Sequence, residues 1–162
     1  MGEATLRLDD GLMEFLKRPL MSIIAAVDEE GRPAPARAIG FHVLEDQETI
    51  DVIFSGWQWP RLEPSIRATG KLAVTFVSPC DYVTYQVKGA ASMRETDTCD
   101  LAQAERFMAD ATGALENLGV PSAIIAPWLT PREARVARLV VSEIYIQTPG
   151  PQAGMMTGAR AR

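Results

Sequence analysis

Few side chains in this 162-residue sequence are of the types that commonly do chemistry, and their number and spacing exclude several kinds of site. His42 is the one histidine, so a single chain cannot build a zinc site from several imidazoles or an HExxH metalloprotease helix. Cys80 and Cys99 form no CxxC pair, which excludes a thiolate cage and a redox dithiol. No GxSxG motif, no GxGxxG after a strand and no glycine-rich phosphate loop is present.

The charge balance excludes other functions. Sixteen Lys and Arg against 21 Asp and Glu give a net charge of −5, and a general nucleic-acid binder needs a basic face instead. With 47% apolar residues, the chain has the composition of one globular domain. The first residues lack the apolar core of a secretion signal, and no apolar run is as long as a membrane helix. Together with two unpaired thiols, these features predict a cytoplasmic protein with no nucleic-acid or membrane partner.

Apolar and alternating runs predict five strands between about residues 20 and 90, with one more over 139–147. The early runs are Leu20–Val27, Ala34–Leu44, Thr49–Ser55, Lys71–Ser78 and Tyr82–Lys88. A turn-rich segment, 28–33, separates the first two and predicts a hairpin.

Helical spacing predicts a short helix over 9–18, another over 62–68, and a helical insertion over 100–138. The long helix of this insertion is expected to span Asp100–Leu118, with Asp100 and Gln103 capping its start. Its expected core stripe is Leu101, Met108, Ala111, Leu115 and Leu118. Thr130–Glu133 (TPRE) has the capping-box pattern that predicts a further short helix. The tail, 148–162, is expected to be mobile unless it docks on the domain.

The order of these elements predicts a mainly β fold with α additions. Five antiparallel strands come early, and helices and one returning strand come late. Such a sheet must protect its edges, and closing into a small antiparallel barrel does so. No alternation of strands and helices is visible, so a doubly wound nucleotide-binding fold is not expected.

Three segments follow one another in an order that resembles a known family. They are SIIAAVDEEGRPAPARAIGF (22–41), TIDVIFSGWQWPRLEPSIRATGKLAVTF (49–76) and YVTYQVKG (82–89). This order resembles the pyridoxamine 5′-phosphate oxidase-related, FMN-binding split-barrel superfamily, and QTPGPQAG (147–154) resembles one of its poorly characterised bacterial branches. The resemblance implies a single domain with an antiparallel split β-barrel.

The resemblance also implies a homodimer with FMN at the subunit interface, acting as an oxidoreductase on a small-molecule substrate. It places Arg37 and Arg61 at the FMN phosphate, which bidentate guanidinium groups suit. The remaining FMN contacts that it implies are the backbones of Ala38 and Ile39, the polar groups of Ser55 and Thr84, and Trp57 as a wall near the ring. It assigns no catalytic acid, base or metal ligand.

The chain departs from the family in two places. Its loop Trp59-Pro60-Arg61 carries one basic residue where the family often has two. The C-terminal Arg and Trp that hold substrate in true pyridoxamine phosphate oxidases have no match, so that particular activity is not expected. Two alternatives stay open: a non-catalytic carrier or sensor of flavin, deazaflavin or haem, and a dimeric module without a cofactor.

Each site residue also has a purely structural interpretation. Arg37 would pair with Glu45 or Asp46, and Arg61 would be a solvated residue at a helix start. The tryptophans at 57 and 59 would pack against a second subunit. For His42, a structural role in an apolar strand is favoured over haem ligation. Cys80 is expected to be an inert thiol at a turn.

Overall fold

Alternating burial along the strands determines how the sheet of this protein closes. The computed structural model describes residues 4–160. The strands are β1 (Leu6–Arg7), β2 (Met21–Val27), β3 (Pro33–Val43), β4 (Thr49–Ser55), β5 (Lys71–Val77), β6 (Thr84–Arg94), β7 (Ala134–Ile146), β8 (Met156–Thr157) and β9 (Ala159–Arg160). The helices are α1 (Asp10–Phe15), α2 (Leu62–Thr69), α3 (Thr98–Asn117) and α4 (Ser122–Ile125), and a 3₁₀ turn follows over Ala126–Trp128.

Six antiparallel strands form a closed barrel in the order β4-β3-β2-β5-β6-β7. The barrel closes because β4 also pairs with β7, from Thr49 opposite Val140 to Ser55 opposite Ala134. The expected β2–β3 hairpin is present, and its turn places Gly31 at a φ of +75°, which glycine adopts readily. The predicted antiparallel barrel is thus confirmed.

The predicted helix at Thr130–Glu133 is wrong. These residues form a turn, and β7 begins at Ala134 rather than at residue 139, so the helical insertion does not extend to residue 138. The carbonyl of Arg132 accepts a hydrogen bond from the Ser55 hydroxyl, and that of Glu133 accepts one from the backbone N–H of Gly56. A φ of +51° at Glu133 is also incompatible with a helix. Tertiary contacts with β4 therefore outweigh the local capping pattern.

The predicted mobile tail contains ordered strands. Met156–Thr157 pair with β7, and Ala159–Arg160 pair with β1, near the start of the chain. Residues 161–162 of that predicted tail lie outside the described residues. Strand β6 also extends beyond its predicted end, to Arg94.

Helix α3 begins earlier and faces the barrel differently from the prediction. Asp97 is the N-cap, and it exchanges hydrogen bonds with Asp100 in a capping box. Leu101 and Leu118 of the predicted core stripe are 42% and 51% exposed. Ala111 and Leu115 of that stripe are buried as predicted, and the other buried apolar residues of α3 are Ala104, Phe107 and Ala114. Small residues suit this face because α3 lies so close to β3 that a Cβ atom on Gly40 would be 3.1 Å from the Ala104 Cα.

The helices leave one outer side of the barrel uncovered. On one side, Ala104 of α3 packs on Ile39, Ile53 and Val136. On the opposite side, the outward residues of β2, β5 and β6 are partly or fully exposed, and Ile23 is 51% exposed. We call this surface the bare face; its residues are Ile23, Ala25, Ala73, Thr75, Gln86 and Lys88. None of the described helices has the length and apolar character needed to cross a membrane.

A buried ion network joins α3 to three strands. Asp51 of β4 accepts hydrogen bonds from Arg94 at 2.9 Å and from Arg138 at 2.8 Å, and Arg94 also binds both carboxylate oxygens of Asp100. Burial alone would raise the pKa of Asp51, but the hydrogen bonds from Arg138 and Arg94 outweigh it and lower that pKa below its ordinary value. The pKa of Asp100 is lowered in the same way by Arg94.

We expect replacement of Arg94 by alanine to lower the free energy of unfolding by about 3 kcal/mol, because it leaves two buried carboxylates short of their partner. Urea denaturation at neutral pH measures this loss. Arg106→Ala is the matched control, since Arg106 is exposed and binds only the Gln103 side chain. Equal, small losses in both variants would contradict a stabilising network.

The same network predicts acid sensitivity. Folded-state pKa values below the ordinary 3.8 mean that the stabilisation is fully present above that value and is lost as the pH falls through the lowered folded-state values. The free energy of unfolding should therefore fall below roughly pH 4, and the fall should be smaller in Arg94→Ala.

Candidate functional site

Arg37 lies on the outer side of β3, at the border between the bare face and the helices. Its guanidinium carbon is 4.8 Å from the centroid of the Trp128 ring. Within residues 4–160 it forms no ion pair, and the alternative pairing with Glu45 or Asp46 is not present; Asp46 instead accepts the Thr49 hydroxyl at 2.7 Å. A guanidinium stacked on a ring keeps its in-plane N–H donors available, so Arg37 can donate to an anion.

A second arginine is held in the same way beside the end of β4. The guanidinium carbon of Arg132 is 4.4 Å from the Trp57 ring centroid, and Trp57 is 50% exposed. Arg132 also has no carboxylate partner within the described part of the chain. The site therefore contains two guanidinium groups that are supported by aromatic rings and neutralised by no carboxylate.

Ser55 connects these two arginines. Ala38 pairs with Phe54 across β3 and β4, so Arg37 and Ser55, the next residue on each strand, are neighbours about 5 Å apart at their Cα atoms. The fully buried Ser55 hydroxyl donates to the Arg132 carbonyl at 2.7 Å and accepts the Gln58 backbone N–H at 3.1 Å. Because both of its hydrogen-bonding roles are used, Ser55 positions Arg132 within the folded chain.

The segment between α3 and β7, residues 118–133, brings Trp128 and Arg132 to this place. Ile125 is fully buried and anchors the segment, and the Gln58 side chain donates to the Pro127 carbonyl at 2.9 Å. We call the resulting cluster the arginine–tryptophan site; its members are Arg37, Ser55, Trp57, Trp128 and Arg132. Trp128 and Arg132 were not predicted as site residues, because no local pattern indicates a partner as distant in sequence as Arg37 or Trp57.

Ala38 and Ile39 adjoin this site but offer no side chain to it. Both are almost completely buried, and Ile39 packs beneath α3. A register shift between Ala38 and Gly40 leaves Ile39 without a Cα partner in β4. Any contact of these two residues with a ligand must therefore come from their backbone atoms.

Arg61 and Thr84 lie apart from the arginine–tryptophan site within one chain. The exposed guanidinium of Arg61 is 3.8 Å from the Asp28 carboxylate, at the β2–β3 turn. The Thr84 hydroxyl donates to the Tyr82 carbonyl at 2.8 Å, at the start of β6. In the barrel, β2 and β5 separate β6 from β3. The structure thus brings Arg37, Ser55 and Trp57 together, and it does not bring Arg61 or Thr84 to them.

His42 is exposed on β3, away from the arginine–tryptophan site, rather than enclosed in an apolar environment. It borders a cleft of about 350 Å³ that Met13, Phe41 and Arg106 also line. In residues 4–160, no cluster of three or more His, Cys, Asp or Glu side chains could hold a metal ion. Cys80 lies at a turn and is exposed, as is Cys99.

Replacing Ser55 by alanine should loosen Arg132. The change leaves the Arg132 carbonyl and the Gln58 N–H without their partner, and we expect a loss of about 1–3 kcal/mol in the free energy of unfolding. Trypsin should also cleave faster after Arg132. Ser142→Ala is the control, because the Ser142 hydroxyl makes only a long 3.4 Å contact. Unchanged stability and cleavage in Ser55→Ala would contradict this positioning role.

No protein-family model and no curated protein sequence matches this chain. Solved structures match over most of its length. HupZ of Group A Streptococcus has 18% identity and a TM-score of 0.55, over 91% of this chain and all of that one. HutZ, described as the heme storage protein of Vibrio cholerae, has 18% identity and a TM-score of 0.51, over 87% and 95%. A "putative pyridoxamine 5′-phosphate oxidase" of Lactobacillus delbrueckii has 16% identity and a TM-score of 0.52, over 86% and 93%. At these identities the likeness shows the fold alone.

Proposed function

We propose that this chain, which has the split-barrel fold of the pyridoxamine 5′-phosphate oxidase-like proteins, is an FMN-binding oxidoreductase that works as a homodimer. The observation that carries the proposal is the pair of ring-supported guanidinium groups, Arg37 and Arg132, which flank the end of β4 without carboxylate partners. The FMN phosphate carries close to two negative charges, and two arginines match that charge. Bound FMN supplies hydride and electron transfer, which no side chain of this site supplies.

Each residue of the arginine–tryptophan site has a role in this proposal. Arg37 and Arg132 donate hydrogen bonds to the phosphate, while Trp128 and Trp57 hold their guanidinium planes. Ser55 fixes the backbone of Arg132. The backbones of Ala38 and Ile39 line the path from the phosphate toward the ring. Arg61 and Thr84 would reach the cofactor only from a second subunit, because one chain keeps them apart from Arg37.

The bare face is the proposed dimer interface. Ile23, the one large apolar residue of this face, is 51% exposed, and none of the described helices covers the strands around it. A homodimer would then hold its cofactor sites at the edge of the interface, beside Arg37. We place the protein in the cytoplasm, which the two exposed free thiols support.

Titration with FMN and with riboflavin, which lacks the phosphate, tests the site. In Arg37→Ala and Arg132→Ala we expect FMN affinity to fall at least tenfold, about 1.4 kcal/mol, with riboflavin affinity unchanged. Quenching of tryptophan fluorescence and of flavin fluorescence reports binding. Arg106→Ala is the matched control, because Arg106 is exposed on α3 and binds the Gln103 side chain, away from the arginine–tryptophan site. Unaltered FMN affinity in Arg37→Ala would refute the phosphate assignment.

The absorption spectrum of the purified protein tests the choice of cofactor, and a nicotinamide donor tests the enzyme. Flavin bands that stay with the protein, and repeated reduction with turnover, are the results expected of an oxidoreductase. Bound flavin that never turns over would indicate a carrier. A Soret band that disappears in His42→Ala would replace the flavin proposal by haem binding at the cleft beside His42.

Light scattering tests the dimer. We expect the mass of two chains at micromolar concentration, and we expect Ile23→Glu to give the mass of one chain, because a charge buried in a subunit interface is poorly solvated. Ile124→Glu is the control, since Ile124 is equally exposed (53%) but lies on α4. A single-chain mass for the unmodified protein would reject the dimer, and a two-chain mass for Ile23→Glu would reject the bare face as its interface.

A further inference from the structure

Two of the three lysines in the sequence line one groove at the end of the bare face, and neither forms an ion pair there. They are Lys71 and Lys88, and within residues 4–160 neither forms an ion pair. The third, Lys17, pairs with Glu14 on α1. The chain has more carboxylates than basic groups, 21 against 16, so two neighbouring lysines without such a partner are notable.

The β5–β6 register places the two lysine side chains on the same face of the sheet. Lys71 is opposite Ala90, and Ala73 is opposite Lys88. The lysines are therefore diagonal neighbours, with Cβ atoms within about 7–8 Å of each other. The residues directly opposite them are alanines, which leave room over the groove for both long side chains.

The space between the lysines is a groove of about 580 Å³, large enough for a small organic molecule. Its floor consists of small residues, Ala25, Ala73, Gly89 and Ala90. Gly89 cannot be larger, because its Cβ would lie 1.9 Å from the Val140 carbonyl oxygen at the β6–β7 register shift. The β2–β5 ladder ends at Ala25 opposite Ala73, so the groove is situated where these two strands part.

The one carboxylate beside the lysines is already engaged. Glu143 is opposite Lys88 on β7, but its carboxylate accepts the hydroxyl of Tyr145. The Lys88 ammonium lies 4.6 Å from the centroid of the Tyr145 ring instead. An ammonium held by a ring keeps its N–H donors free for an anion. Two ammonium groups and the one carboxylate of Glu143 leave the groove with an excess of one positive charge.

We infer that this groove is a second anion site, in which Lys71 and Lys88 bind a small dianion of the phosphate monoester or dicarboxylate class. It is separate from the arginine–tryptophan site, because Lys88 lies on β6, which two strands separate from Arg37 on β3. The inference does not depend on FMN binding. Its ligand is small because the groove that both lysines line has a volume of about 580 Å³.

Competitive trace labelling of the lysines with acetic anhydride tests this site, with cleavage and mass spectrometry to read each lysine separately. The probes are inorganic phosphate and malonate, each compared with chloride at equal ionic strength. We expect saturating phosphate or malonate to lower the labelling of Lys71 and Lys88 at least fivefold and to leave Lys17 unchanged. Protection by phosphate alone identifies a phosphate monoester as the ligand class, and protection by malonate alone identifies a dicarboxylate. If the labelling of Lys71 and of Lys88 is the same in phosphate, in malonate and in chloride, the inference is overturned.

Variants confirm the assignment and separate it from the proposed flavin site. The rise in melting temperature produced by the protecting anion should be lost in Lys71→Ala and in Lys88→Ala and retained in Lys17→Ala. Protection should also persist in Arg37→Ala, which removes only the arginine–tryptophan site. Loss of protection in Arg37→Ala would show that the anion binds there and would overturn the second site. If FMN does not bind while the anion still protects both lysines, the proposed function is refuted and the second anion site is not.

Discussion

The position of β4 between β3 and β7 is the constraint on which the rest of this structure depends. All seven residues of β4 are buried, and its pairing with both neighbours closes the barrel. A strand in this position has little access to water, so its polar side chains must find partners in the protein. Asp51 binds Arg94 and Arg138 and thereby fixes the start of α3 through Asp100. Ser55 binds the backbone of Arg132 and thereby fixes the segment that follows α3. Both ends of the helical insertion are attached to the same strand.

The arginine–tryptophan site follows from that attachment. The α3–β7 segment has one fully buried apolar anchor, Ile125, and a partly buried one, Leu129, which packs on the cluster that includes Ile53 of β4. Hydrogen bonds and ring–guanidinium stacks add to these contacts near the end of β4. In the segment's two aromatic contacts, the Trp128 ring holds the guanidinium of Arg37, and the Trp57 ring holds that of Arg132. Both contacts orient an arginine rather than bury apolar area. Stacking on a ring directs a guanidinium without consuming its donors, whereas an ion pair with a carboxylate would consume them. The segment therefore stabilises the fold while keeping two cations available at its surface.

The sequence predicts those parts of this arrangement that residues close together in the chain determine. Local alternation and turn residues predict β2 to β5 and the hairpin between β2 and β3, and the resemblance places Arg37 on a strand. The prediction is wrong where contacts between residues far apart in the sequence determine the structure. Thr130–Glu133 has a helix-start pattern, yet Ser55 and Gly56 bind its carbonyls as the end of a loop. The stripe of α3 that contains Leu101 and Leu118 is the more apolar one, but the close approach at Gly40 selects the side with Ala104. Trp128 and Arg132 join the site through the same kind of long-range contact.

Electrostatics connects the two proposed sites. Several basic side chains of this acidic chain pair with carboxylates, as Arg18, Arg32, Arg67 and Arg94 do. In the part of the chain that the structure describes, Arg37, on the border of the bare face, and Lys71 and Lys88, in the groove at its end, do not. Unpaired cations at a few positions of an acidic protein attract small anions locally without creating the broad basic surface that nucleic acids require.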